Sequence, residues 1–452
     1  MKKIFTTLTL STLVFFGAAA QNTSSPEVPV RKCGSPKVNP TYEEAFQQMV
    51  QKHQQFANGK KAAVVYNIPV IFHILHSGVA VNTTGATSGR NLNAAQINSQ
   101  LTVLNADYRK LNTDFSSYVT QSAFSSVAAD VEINFCAAKV SPTGTVLAEP
   151  GIDRISVSSK GWNALPYSMS YIESTVKPGS SWDPTKYFNI WVLEFGGVDA
   201  GTLGYAQFPT IPSGTNPVTD MVGAGGAANT DGVVLDYHYV GNTGTALASA
   251  PYNKGRTLTH EAGHWLGLWH IWGDDGSSCS GTDYVADTPN QADENYTCPT
   301  TNGAVSADAC AGSTGAMYQN YMDYSDDKCM VMFTAGQKAR MQAVMANCAR
   351  RLSLTTSTVC STVGIEENLS NVNMEVYPNP TNGELYIDIT TLEVQDFTIS
   401  VINTLGQTVK EVKQMQSNGG KIKIDLSDKN KGVYFVTVKS KSGSKVKRIV
   451  LQ

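Results

Sequence analysis

The 452-residue sequence predicts a mixed α/β body followed by a small all-β sandwich. Three observations lead there. Val/Ile-rich strand candidates between about residues 64 and 240 are interrupted by an amphipathic helix, the pattern of a mixed sheet with a helix against it. Two further helical patterns follow, at residues 253–270 and 333–348. After Cys360 the composition changes: the C-terminal segment holds no Cys, Trp or His, and its apolar and polar residues alternate between turn signals, as in a small antiparallel sandwich.

Lys2, Lys3, an apolar stretch from Ile4 to Phe16 and the small residues Ala18, Ala19 and Ala20 form the pattern of a secretory signal cut after Ala20. That stretch is short of the roughly 20 residues that span a bilayer, and no other segment is apolar enough to do so. A formal net charge of -3 with 16% charged residues offers no basic surface for nucleic acid. The predicted organisation is a signal at 1–20, a propeptide at 21–60, the main body at 61–360, a linker at 361–371 and the C-terminal sandwich at 372–452.

Residues 42–56 read as a polar helix, and 64–75 as a buried strand with which the globular body starts. In residues 92–112, Ile97, Leu101, Leu104 and Tyr108 fall at the three-and-four spacing of a helix capped by Asn93. Strand candidates come next at 131–140, 187–195, 203–209 and 232–240. Thr334, with Gln337 three residues on, marks the start of the last helix of the body. In the C-terminal segment the alternating runs are 385–389, 397–403, 420–426, 432–440 and 446–452.

The most informative residues are HEAGHWLGLWH, from His260 to His270. On a helix, His260 and His264 lie on one face and reach a single ion. Gly267 then turns the chain so that His270 returns from the other side. Three neutral nitrogen ligands leave one position for water, the open coordination of a catalytic Zn2+. Glu261, beside the ligands, is placed to take a proton from that water as general base.

Downstream, NYMDYSDDKCM supplies Met322 and Tyr324. Here the sequence resembles the metzincin clan, and within it the pappalysin family, over about residues 66–348. The resemblance implies a mostly parallel sheet with an active-site helix, a methionine turn at Met322 beneath the metal, and Tyr324 binding the tetrahedral intermediate of peptide hydrolysis. It also implies an extended protein or peptide substrate along an edge strand at about Leu203–Phe208. Relatives that cut before Arg or Lys place an acid near the position of Lys328, so a lysine there argues against a basic preference, although Asp326 and Asp327 are close. The alternative is an exported, metal-containing adhesin or binding module without turnover; the intact His260, Glu261, His264, His270 and Tyr324 speak against it.

Cys33 follows Arg31 and Lys32, a cationic setting that favours thiolate. Such a thiolate can occupy the zinc and keep the enzyme latent; a disulfide is the other possibility. Family spacing implies Cys279 with Cys310 and Cys298 with Cys329, leaving Cys136, Cys348 and Cys360, of which Cys136 with Cys348 is preferred. The loop holding Asp283, Asp287, Thr288 and Asn290 offers oxygen ligands suited to Ca2+, and relatives bind calcium there. Residues 372–452 resemble the sorting domains that engage the type IX secretion machinery. The chain is thus expected to be a zymogen, exported and then released or held at the cell surface.

Overall fold

In the structure, a computed structural model, the described residues are 30–36, 40–57, 65–211, 226–361 and 372–452, less 84, 87, 120–123, 277, 299–309, 311–314, 404–406 and 441–442. The expected signal peptide and nearly all of the expected linker lie outside them. Of the unit Met1–Val30, only Val30 is described; every described helix and strand belongs to the unit Arg31–Gln452.

The first element is helix α1, Pro40–Ala57. Strand β1, Tyr66–His76, then runs through the centre of a six-stranded sheet. Helix α2, Ala94–Tyr108, follows, with the Asn93 side chain accepting from the Gln96 N–H as its cap. Strands β2 (Ile133–Ala137), β3 (Ile152–Ser156), β4 (Phe188–Leu193), β5 (Gly204–Ala206) and β6 (Gly232–Asp236) complete the sheet. The order is β2-β1-β4-β6-β5, with β3 on the second half of β1; all pairings are parallel except that of β5. Every residue of β4 and β6 is buried, as expected of parallel strands covered on both faces. Helix α3, Arg256–Trp265, packs against β5 and β6. Helix α4, Ala335–Asn347, opens with a capping box between Thr334 and Gln337.

β3 was missed in the sequence because IDRIS offers only Ile152 and Ile155 as an apolar signal. The C-terminal strands are β7 (Val372–Tyr377), β8 (Glu384–Asn403), β9 (Thr408–Asp425), β10 (Gly432–Ser440) and β11 (Gly443–Leu451), all antiparallel. The two predicted runs 385–389 and 397–403 are halves of the single strand β8, with irregular register between Thr390 and Phe397. Leu385, Ile387, Phe397, Ile399, Val436 and Ile449 build a core of their own. Among the described residues no helix is long and apolar enough to cross a membrane.

The main surprise is α1. The segment assigned to the propeptide buries Tyr42, Glu43, Phe46, Met49 and Val50 in the core of the body. Both Glu43 oxygens bind Arg340 of α4, at 2.5 and 2.9 Å, and the Trp269 indole N–H donates to Glu43 at 2.6 Å. Arg340 also donates to the Gly267 carbonyl at 2.9 Å. The helix is therefore bonded to the turn that leads into His270.

Candidate metal centre

The turn after α3 explains the histidine spacing. Gly267 has φ +88°, its N–H bonds the His264 carbonyl, and the Leu268 N–H bonds the Gly263 carbonyl. This is a Schellman closure, which reverses the chain within three residues and returns His270 to the helix face. A Cβ at Gly267 would also lie 2.6 Å from the Phe46 ring, so the position is closed to side chains twice over.

The ring orientations fix the tautomers. His260 Nδ1 lies 2.7 Å from the Tyr321 carbonyl and His264 Nδ1 lies 2.7 Å from the Leu268 carbonyl. A carbonyl only accepts, so both Nδ1 atoms carry the proton and both Nε2 atoms present lone pairs. His270 Nδ1 is held by Asp274 at 2.9 Å. The Nε2 atom of His264 stands 3.1 Å from those of both His260 and His270. Facing lone pairs at that separation repel, and a cation shared among them removes the conflict. Burial pushes the His260 and His264 imidazoles well below their usual range, keeping them neutral as metal ligands require. With the Cys33 Sγ, the three nitrogens form a group whose ligand atoms all lie within 4.8 Å, the single such group of His, Cys, Asp or Glu among the described residues.

Glu261 is buried, and burial pushes its carboxyl up to about 7. Its Oε2 accepts from the Ser35 hydroxyl at 3.1 Å and lies 3.5 Å from Cys33 Sγ. Met322 packs directly beneath the helix, where a side chain on Gly263 would overlap its sulfur. The Tyr324 ring stands 5.0 Å from that of His270, and Trp272 stacks on His270 at 4.3 Å. Thus His260, Glu261, His264, His270, Tyr324 and Cys33 converge. Asp274, Trp272 and Ser35 were not foreseen; only their closeness in sequence to His270 or Cys33 could have flagged them.

Two expectations need correction. The cationic setting of Cys33 is absent: Lys32 is exposed, and the Arg31 guanidinium turns away to Asp327 at 2.5 Å. Burial, then the Glu261 charge, instead pushes the Cys33 thiol well above its ordinary range. Lys328, expected near the specificity pocket, is exposed and pairs with Asp326 at 3.6 Å. Asp327, fully buried, is the acid that binds Arg31, whose guanidinium lies over the ring of Tyr252.

Similarity to known proteins agrees with this geometry. Residues 170–346 match the family model described as pregnancy-associated plasma protein-A, and residues 375–452 match the secretion system C-terminal sorting domain. An extracellular metalloprotease of Sordaria macrospora is 31% identical over 314 residues, 68% of this chain and 86% of that protein. The chain belongs to the pappalysin family of metallopeptidases. Another family metalloprotease, from Colletotrichum graminicola, is 32% identical, over 69% of this chain and 89% of its own length. A mutant of Tannerella forsythia promirolysin is 35% identical with a TM-score of 0.57, covering 72% of this chain and 97% of its own. Mature mirolysin of that organism, in complex with a cleaved peptide, is 37% identical with a TM-score of 0.53, covering 66% and 97%. The sorting domain assigns this pappalysin relative to type IX secretion.

In the body of the peptidase, Cys279 pairs with Cys310 and Cys298 with Cys329, as the resemblance implied. The third bridge is Cys136–Cys360 rather than Cys136–Cys348. Cys348, at the end of α4, is a buried free thiol beside Met49 of α1. In the expected calcium loop, the Asp283 carboxylate receives the Thr288 hydroxyl at 2.8 Å and the Val285 N–H at 3.0 Å. Asp287 instead binds the Thr334 hydroxyl and the Gly336 N–H at the start of α4. Asn290 lines the same surface recess as Thr288.

Proposed function

We propose that the chain is a secreted zinc endopeptidase held latent by its own leader. The observation that carries this reading is the convergence of three imidazole Nε2 lone pairs, that of His264 standing 3.1 Å from each of the other two, with the Cys33 sulfur within 4.8 Å of all three. Three imidazole nitrogens and one sulfur suit zinc. Zinc held by His260, His264 and His270 would supply a Lewis acid that acidifies water and polarises a carbonyl. Glu261 takes the proton of the attacking water and passes it to the leaving amine. The Tyr324 hydroxyl donates to the developing oxyanion. Cys33 and Ser35 together occupy the places of that water and of its contact to Glu261, so peptide hydrolysis waits on departure of the leader, read as residues 21–60.

The substrate is read as an extended peptide pairing with β5, which the leader now covers: the Leu203 N–H bonds the Lys32 carbonyl and the Gly34 N–H bonds the Gly204 carbonyl, both at 2.9 Å. Asp327, whose pocket receives Arg31, supports a preference for a basic side chain on that side of the metal. A calcium ion at Asp283 is proposed on different ground. Burial pushes that carboxyl up to about 7, and a bound cation would offset the cost of its charge.

The deciding experiment is casein cleavage by activated protein, with and without a zinc chelator, beside Glu261→Ala. Loss of cleavage in both controls is expected. No cleavage by zinc-loaded, activated protein would transfer the assignment to a binding module.

A further inference from the structure

The leader strand alternates about the metal. Cys33 bridges Gly204 in parallel, and a Cβ on Gly204 would touch the Glu261 side chain, so this face of the pair looks toward the metal. Ser35 shares that face, as its bond to Glu261 requires. Gly34 and Pro36 point to the opposite face. There they border a cavity of about 470 Å³, lined also by Met169, Glu173, Tyr205, Gln207 and Thr230.

The cavity is balanced in charge. Glu173 accepts the Tyr205 hydroxyl at 2.7 Å and is paired with Lys177, whose buried ammonium lies 4.6 Å from the centre of the Tyr205 ring. A carboxylate so engaged has little left to offer a charged ligand, and the walls are largely thioether, ring and aliphatic carbon. The leader puts only the Pro36 ring against this space. Its other residue there is glycine, and a Cβ on Gly34 would overlap the Met169 methyl, the end of a side chain with three rotatable bonds that can swing aside, and would lie 3.3 Å from the Tyr205 Cβ.

We propose that this cavity is a side-chain subsite of the cleft that takes an apolar substrate residue, the one adjacent in sequence to the residue facing the metal. The proposal rests on the peptidase reading and goes beyond it by naming a second determinant, on the face of β5 away from Asp327. It also gives the leader's glycine a role: the leader is held by Arg31 and Cys33 while leaving this subsite to the substrate, which keeps it displaceable.

The test uses the full chain and does not depend on turnover. Gly34→Leu places a side chain in the cavity with the register fixed by Cys33, and the rate at which a thiol reagent labels Cys33, read by peptide mass, reports how often the leader opens. Labelling about tenfold slower than wild type is expected, the usual worth of filling an apolar subsite with a few carbons. Thr230→Trp, which closes the cavity, should remove that difference. Unchanged or faster labelling in Gly34→Leu, or a difference that survives Thr230→Trp, overturns the proposal. In a second arm, cut sites in denatured casein digested by activated protein should be enriched in Leu, Met or Phe at one position beside the scissile bond, with the enrichment lost in Thr230→Trp. Cuts without enrichment also overturn it. Absence of any cut would count against the peptidase reading alone, since the labelling rates still decide the cavity.

Discussion

Replacing Glu43 by alanine should unbalance a buried network that links the leader to the metal loop. In the folded chain the Glu43 carboxylate is 1% exposed and satisfies both terminal nitrogens of Arg340, itself 2% exposed, and the Trp269 indole. Arg340 retains the Gly267 carbonyl, but its charge is left without a counter-ion. Removing one partner of a buried pair costs about 3–5 kcal/mol, because the orphaned charge stays out of water. The orphaned Trp269 N–H belongs to the same network, so its cost is not simply added. That figure corresponds to a factor of roughly 10²–10⁴ in the folding equilibrium and a fall in Tm of roughly 6–20 °C. Urea unfolding of the full chain, followed by tryptophan fluorescence, reads it directly, since Trp269 is in the network. Glu43→Gln, which keeps the shape and one acceptor, should fall between the two. A Glu43→Ala chain within about 1 kcal/mol of wild type would mean that α1 is not docked in solution, and the reasoning would fail.

Other outcomes concern the site itself. Glu261→Ala should retain zinc by metal analysis while casein turnover falls by roughly 10²–10⁴-fold, the usual contribution of a positioned proton acceptor. Asp327→Asn leaves the Arg31 guanidinium without a charged partner, so Cys33 should be labelled faster than in wild type; in the activated enzyme it should also lower cleavage of peptides with Arg relative to those with Leu, and an unchanged ratio would remove Asp327 from specificity. Cys348, buried and with its thiol pushed up to about 12 mainly by that burial, should resist alkylation at pH 8 in the native chain and react fully in urea. Millimolar calcium should raise the Tm of the wild type and leave that of Asp283→Asn unmoved; equal shifts in the two proteins would place the effect elsewhere.

What the sequence made legible was local. His260, His264, Gly267 and His270 lie within one helix and its closing turn, so spacing alone orients them, and the Thr334 cap and the Asn93 cap act within three residues. The pairings that lock the leader in place are far apart in the chain: Arg31 and Asp327 are 296 residues apart, Glu43 and Arg340 are 297. No local pattern selects such partners; the sheet topology does. The same limit explains Cys33. Neighbouring charges were read as its environment, but an extended strand sends Arg31 into a pocket and Lys32 into solvent, leaving Glu261 as the charge the sulfur faces. Family resemblance supplied two of the three disulfides, while the third depended on where Cys360 comes to rest, against Cys136.

β5 ends the sheet after only three residues, with one side paired to β6 and the other to the leader. An unpaired rim of N–H and C=O groups will join any extended chain it meets, including another copy of itself, which is how β proteins clump. On the proposed reading of β5 as the substrate's partner strand, that stickiness serves the enzyme at its destination and endangers it on the way. By laying residues 32–34 along β5, the molecule carries its adhesive side wrapped, and under the proposed activation the cut that removes the leader also unwraps the rim.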